Sequence, residues 1–254
     1  MINKRGTYTL FAKEVSRFMK VAVQTIVTPI ITILLYLLIF SSVLSKQIEL
    51  YKGVGYSTFL IPGLIMMAIL QNSFANNSSS LFQSKLNGNI VFMLLAPLSG
   101  LEIYIAYTAS AIFRGLLVGI GAWIVSCGFE VIPVYNPFIM IAFALMGSGI
   151  LGSFGMIAAI CADKWDHIAA FQNFVVLPLS FLSGAFYSIN TLPSLWQKIS
   201  MFNPFLYVID GFRYGFLGQS DISIILSFSV TACFLVLIGF ISLWLLHSGY
   251  KLRN

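Results

Sequence analysis

The chain has 254 residues, of which 59% are hydrophobic and only 9% charged. A water-soluble domain carries about a quarter charged residues, so this composition excludes an ordinary soluble globule and makes lipid the main solvent. The net charge of +6 does not mark a nucleic-acid binder, because Lys4, Arg5, Lys13, Arg17 and Lys20 cluster ahead of the first apolar run, as they do beside a membrane span.

Phe11, Val15, Phe18, Met19 and Ala22 recur at helical spacing, with Lys13, Arg17 and Lys20 largely off that stripe. The pattern predicts an amphipathic helix over residues 8–20 in the cytoplasmic interface. Six apolar stretches long enough to span a bilayer follow, at about 21–43, 57–79, 103–127, 137–161, 168–188 and 222–246. The first is about twice a secretory-signal core and has no small-residue cleavage site behind it, so it reads as a span. Runs of this length suit helices and not barrel strands, which predicts an all-α integral membrane domain over residues 1–254.

Polar residues interrupt this pattern in a few places. "QNSFANNSSS" (71–80) puts Asn72, Asn76 and Ser79 or Ser80 on one helical face. Amides in hydrocarbon need partners, so that face meets either another helix or a watery passage. The connection "LFQSKLNGNIVFMLLAPLSGLE" (81–102) is long for a compact bundle. Within it, residues 89–96 form an apolar helical stretch stopped by Pro97, whose exposed side wants a protein partner. Arg114 falls midway along the third span; it either faces protein, carbonyls or water, or snorkels to the inner interface. Gly115 and Gly119, with Gly149, Gly152 and Gly155 in the next span, read as helix packing. Cys127, Cys161 and Cys233 read as apolar filler, and Asp163 and Asp166 as a solvated loop.

After the fifth span, Ser183 and Gly184 loosen the helix. Thr191 and Pro193 then start an amphipathic helix, Asn203-Pro204 breaks it, and a second aromatic half-helix carries Asp210 and Arg213. At i,i+3 these two can form a pair. Residues 189–218 are too interrupted to span and too apolar for water, so a re-entrant hairpin shielded by the bundle is expected before the last span.

Placing the N-terminus inside assigns Lys4, Arg5, Lys13, Arg17, Lys20, Lys85, Lys164, Lys251 and Arg253 to the cytoplasm. Lys46, Lys52, Lys198 and Arg213 are left outside, so both termini are expected to be cytoplasmic. No G-x-x-x-x-G-K-[ST] occurs. His167 and His247 have no metal-ligand spacing, and no catalytic cluster is visible. Buried acids of the kind that ion-driven carriers use are missing from the spans. A transport subunit is favoured over an enzyme; a secondary carrier and a non-transporting membrane scaffold remain as alternatives.

The stretch "FLSGAFYSINTLPSLWQKISMFNPFLYVIDGFRYGFLG" (181–218) closely resembles the penultimate-loop region of type-2 ABC exporter permeases, the YadH-type inner-membrane permeases among them. "IPGLIMMAI" (61–69), "LLAPLS" (94–99) and "RGLLVG" (114–119) match in order. The resemblance implies six spans, an interfacial N-terminal helix and a short coupling helix seated on a separate ATP-binding subunit. It also implies a second permease copy, with ATP and Mg on the partner and no cofactor in this chain. On that basis Lys85, Asn89, Ile90, Leu94, Leu95 and Pro97 belong to the coupling region. Asn203, Pro204, Asp210 and Arg213 belong to a re-entrant gate, and Asn72, Asn76, Ser79 and Arg114 are candidates to line the pathway. Where such permeases place charge in the coupling helix, this chain has Gly88, Val91 and Phe92. The location implied is a bacterial inner membrane.

Overall fold

The computed structural model describes residues 3–44, 49–51 and 54–252. Lys46, Lys52 and Arg253, used above for orientation, lie outside the described residues. In chain order, α1 (Lys4–Met19) leads through a π-turn (Val23–Val27) into α2 (Thr28–Leu44). A small antiparallel ladder, Glu49–Tyr51 with Val54–Gly55, precedes α3 (Tyr56–Leu86), α4 (Ile90–Leu95), α5 (Gly100–Ser126) and α6 (Pro137–Cys161). Then come α7 (Trp165–Phe171), a second π-turn (Gln172–Val176), α8 (Leu177–Phe181) and a 3-10 turn (Ile189–Thr191). Three helices close the chain: α9 (Ser194–Met201), α10 (Pro204–Leu217) and α11 (Ile224–Ser248).

Among the described residues, 5 helices are long and apolar enough to cross a membrane: Val23–Phe40, α3, α5, α6 and α11. The fifth predicted span, 168–188, differs. The helical run there, Trp165–Phe181, begins before it, stops short of its end and is divided into segments of 7, 5 and 5 residues, about 25 Å in all against a hydrocarbon core of about 30 Å. Both π-turns have the same cause. Pro29 and Pro178 each follow a π-turn by two residues and have no N–H to close the regular i→i−4 bond, so the preceding turn widens. The ladder is a further departure from an all-helical chain, and α3 runs on to Leu86, into the predicted 81–102 loop.

Helix starts follow their caps. Asn136 Oδ1 accepts the N–H of Phe138 and Ile139 ahead of Pro137, and Asn203 Oδ1 accepts that of Phe205 ahead of Pro204. Ser99 and Glu102 cap one another reciprocally at the start of α5.

The centre of the bundle is α3. Of its most apolar stretch 83% is buried, against 11% for the first crossing helix and 22% for α11, so the latter two form the periphery. Close approach to α3 depends on glycine. A Cβ at Gly155 would lie 2.4 Å from the Phe74 carbonyl oxygen, and one at Gly115 would lie 2.3 Å from Ser73 Oγ. Gly155→Ala is therefore expected to cost about 1–3 kcal/mol by forcing α6 away from α3. The control is Gly55→Ala, where a Cβ meets only Thr58 Oγ1 at 3.8 Å. Equal unfolding midpoints for the two variants in mild detergent would refute this packing argument.

Both described ends of the chain meet at one end of the bundle. Asn3 N–H bonds the Glu102 carboxylate, and Asn3 Nδ2 donates to the Pro97 carbonyl at 3.3 Å. Beyond α11, Lys251 Nζ donates to the Cys161 carbonyl at 3.1 Å and to Asp163 Oδ2 at 2.7 Å. The Lys251 bond holds the Asp163 carboxyl below the usual carboxylate range.

Candidate functional site

At that same end α4 stands outside the main bundle. Of its apolar residues only Ile90 is buried; Val91, Phe92 and Leu95 are 51%, 74% and 76% exposed. Ala96 takes an extended conformation, as the residue before Pro97 must, and the helix ends there. Lys85, Gly88, Ile90, Val91, Leu94, Leu95 and Leu252 line a groove of about 500 Å³. Lys85 turns its ammonium to the carbonyls of Ile160 and Ala162, at 3.0 and 2.8 Å, neutralising the C-terminal dipole of α6. Asn89 precedes α4 without a side-chain capping bond. Thus Lys85, Ile90, Leu94 and Leu95 share one groove. Asn89 and Pro97 do not line it, and the Pro97 carbonyl accepts from Asn3 Nδ2.

A polar ladder runs from this end into the bundle between α3 and α5. Glu14 of α1 is fully buried, and Ser80 Oγ donates to its Oε2 at 2.5 Å, as does Arg17 Nε at 3.2 Å. Lys13 Nζ lies 3.1 Å from Oε1 without hydrogen-bond geometry. Arg17 Nη2 then donates to both the carbonyl and Oδ1 of Asn76, each at 3.0 Å. Asn76 Nδ2 donates to Ser110 Oγ at 2.9 Å. One turn deeper, Arg114 Nη2 donates to Asn72 Oδ1 at 3.2 Å. Asn72, Asn76 and Arg114 are therefore brought together, buried between helices. Ser79 is not: its hydroxyl bonds the Ala75 carbonyl of its own helix, and Ser80 joins the ladder instead.

Glu14 escaped sequence reading because an acid in a basic amphipathic helix looks solvated. The available signal was its position, four residues from both Leu10 and Phe18, which are also buried.

The opposite end is built from α9 and α10. Leu195, Trp196, Ile199 and Phe202 of the α9 region are exposed, Phe202 at 89%. Nearly every side chain of α10 is buried, against α6, α11 and α3. Asn203 Nδ2 also donates to the Leu179 carbonyl at 2.7 Å, tying the start of α10 to α8. The expected Asp210–Arg213 pair is not made. The Asp210 carboxylate takes the N–H of Asp221 and Ile222, at 2.9 and 3.1 Å, because the loop after α10 leaves those donors without backbone partners. Arg213 instead donates to the Gly184 carbonyl at 2.7 Å and stacks 3.7 Å over the Phe59 ring. Asp221, not singled out from sequence, gathers Ser188 Oγ, Ile189 N–H and Asn190 Nδ2.

Comparison with known proteins places this architecture. Residues 5–217 match the family model described as ABC-2 type transporter. The chain belongs to the ABC-2 type transporter family. It is 38% identical over 247 residues to the inner membrane transport permease YadH of Escherichia coli (strain K12), covering 97% of this chain and 96% of that protein. It is 27% identical over 234 residues to nodulation protein J of Rhizobium leguminosarum bv. viciae, covering 90% and 88%. The ABC-2 match takes in α1 through α10, hence the exposed α4, the polar ladder and the Arg213 cluster. Among the described residues of this ABC-2 chain, no group of three or more His, Cys, Asp or Glu could hold a metal.

Proposed function

We propose that the chain is the permease subunit of an ATP-driven exporter in a bacterial inner membrane, working as a dimer of permeases with a separate ATP-binding subunit. The observation that carries this reading is α4, a short apolar helix standing between two membrane helices with Phe92 and Leu95 open to a partner. An apolar helical face outside lipid is stabilised by a protein groove. ATP and Mg belong to that partner and none to this chain. Closure of the ATP-binding subunits would shift α4, and α3 and α5 flanking it would carry the shift toward a passage at the permease dimer interface. Asn72, Asn76, Ser79 and Arg114 are the residues we assign to the pathway.

The end carrying α4, Asn3 and Lys251 is then cytoplasmic. Both termini at one end require an even number of crossings. The chain from Cys161 must therefore return to the other side through Trp165–Phe181 and the turn after it. That segment is the sixth crossing in our reading. The α9–α10 hairpin is a re-entrant gate, with Asn203, Pro204, Asp210 and Arg213 holding it to the bundle.

Co-purification from the native membrane tests the proposal. A Walker-motif ATPase is expected in stoichiometric amount. It should be lost when residues 89–95 become a Gly/Ser linker, and weakened at least about tenfold by Phe92→Asp with Leu95→Asp, since buried anchors of this kind carry about 2 kcal/mol each. Both side chains are exposed, so the permease itself should fold normally. An ATPase retained by both variants would exclude α4 as the contact, and no ATPase at all would favour a scaffold or carrier.

A further inference from the structure

Arg114 and Arg213 are both buried guanidinium groups, but they are compensated differently. Arg213, whose Nε is likewise unpartnered, donates to the Gly184 and Ala185 carbonyls and covers an aromatic ring. Arg114 sits midway along α5, 7% exposed, with a neutral amide as its hydrogen-bond acceptor at 3.2 Å and Nε unpartnered. Among the described residues no carboxylate pairs with it, and the charge acting on it most is another cation, Arg17. A guanidinium has five donors, and an ionic group in a low-dielectric interior needs a counter-charge or compensation of the kind the carbonyls and ring give Arg213. The missing partner of Arg114 is an anion.

Room for one lies beside its acceptor Asn72, in a groove that Arg114 itself does not line. Asn72, which accepts from Arg114, also lines a groove of about 180 Å³ between α2 and α3. Beside it Gln71 lines the groove too, with its Nε2 buried and unpartnered. The rest of the wall includes Ile33, Tyr36, Leu64 and Met67. The volume equals about six water molecules at about 30 Å³ each, enough for a phosphate or carboxylate with its first methylenes. The groove opens beside α2 on the least buried of the crossing helices, the side from which a chain dissolved in lipid would enter.

We propose that the α2–α3 groove binds an anionic amphiphile, its headgroup oxygens accepting from Arg114 and Gln71 once Asn72 swings aside, and its tail lying along α2. Two sources share this chemistry: exported cargo, in which case the inference rests on the transport reading above, or an anionic lipid of the membrane.

The test uses the full chain in phosphatidylcholine nanodiscs, following its thermal unfolding midpoint while dodecyl phosphate is added. A saturable rise is expected, absent with dodecanol and with inorganic phosphate. Arg114→Gln should raise the half-saturating concentration at least about tenfold, the loss of one charge-assisted contact, whereas Arg114→Lys should keep most of the response. If Arg114→Gln does not fold, Gln71→Leu, at a partly buried position, carries the test with a smaller shift in the same direction. Equal half-saturation in wild type and the charge-removing variant, or an equal response to dodecanol or inorganic phosphate, overturns the proposal. Mass spectrometry of extracted lipid separates the sources. Phosphatidylglycerol or cardiolipin enriched in wild type and lost in Arg114→Gln assigns a resident lipid, and binding without such enrichment assigns cargo. ATPase co-purification from the same cells is scored separately: ATPase retained with no anion response refutes this inference alone, and the converse refutes only the exporter reading.

Discussion

Arg213→Met is expected to destabilise the folded chain by about 3 kcal/mol, as a lower unfolding midpoint in dodecyl maltoside. Arg213 is among the largest side chains buried almost completely, at 1% exposure. Its guanidinium donates to the Gly184 carbonyl, where the chain turns out of α8 through a left-handed residue at φ 73°. A charge-assisted hydrogen bond of this kind is worth about 1.5–3 kcal/mol, and a desolvated cation over an aromatic ring about 2. Relief of the guanidinium's own desolvation offsets part of that sum, since methionine fills much of the volume without a charge. Lysine at the same position keeps the charge but not the planar fork or the stacking, so Arg213→Lys should recover less than half of the loss. Phe59→Leu should weaken the same contact and couple to Arg213→Met, because the two act through one interaction. Stability of Arg213→Met equal to wild type would mean that the α10–α8 contact is held by packing alone.

The parts of this architecture that local chemistry controls could be read from the sequence. The apolar runs mark the crossing helices, Pro97 marks the end of α4, and the Asn136-Pro137 and Asn203-Pro204 pairs mark helix starts that the caps then realise. The apolar exposed face of α4 was visible as residues 89–96 with no lipid to receive them. Three things were not legible, each because it depends on a remote part of the chain. The Asp210 carboxylate chose loop N–H groups of residues 221 and 222 over its i+3 neighbour Arg213. Helical spacing shows that two side chains can meet, and it is silent on stronger competitors brought in by the fold. The 168–188 run reads as one continuous helix, yet Pro178 widens the turn before it and the chain leaves helical geometry after Phe181. Glu14 has the composition of a solvent-facing residue and the position of a core one. Only the docking of α1 on α5, with its bonds to Ser80 and Asn76 of α3, shows that position prevails.

Glu14→Leu is expected to loosen α1 from the bundle by about 3 kcal/mol, the loss of charge-assisted bonds to a fully buried carboxylate whose Arg17 partner stays 27% exposed. Leucine fills the space but leaves Arg17 Nε and Ser80 Oγ without the acceptor they share. Arg17 is then held only by Asn76, 3.0 Å away, so a partly buried cation keeps fewer partners. Glu14→Gln should cost less, about 1–2 kcal/mol, because its amide oxygen still accepts from Ser80 while the charge is lost. The loss should be local. Amide hydrogen exchange across the middle of α1, around Glu14, should accelerate at least about 100-fold in Glu14→Leu, since about 1.4 kcal/mol corresponds to tenfold in an opening equilibrium. Protection in α6, which has no bond to the ladder's outer end, should hold. Asn3 anchors the other end of α1 to Pro97 and Glu102 beside α4. Loosening at Glu14 therefore frees the middle of α1 while its start remains tied to the surface we assign to the ATPase. Unchanged exchange in α1 would show that Leu10, Phe11 and Phe18 hold the helix unaided. Acceleration spread equally over α1 and α6 would make Glu14 a determinant of the whole fold. Acceleration confined to α1, with the ATPase still co-purifying but no longer driving transport, is the outcome expected if the polar ladder links the coupling surface to the pathway.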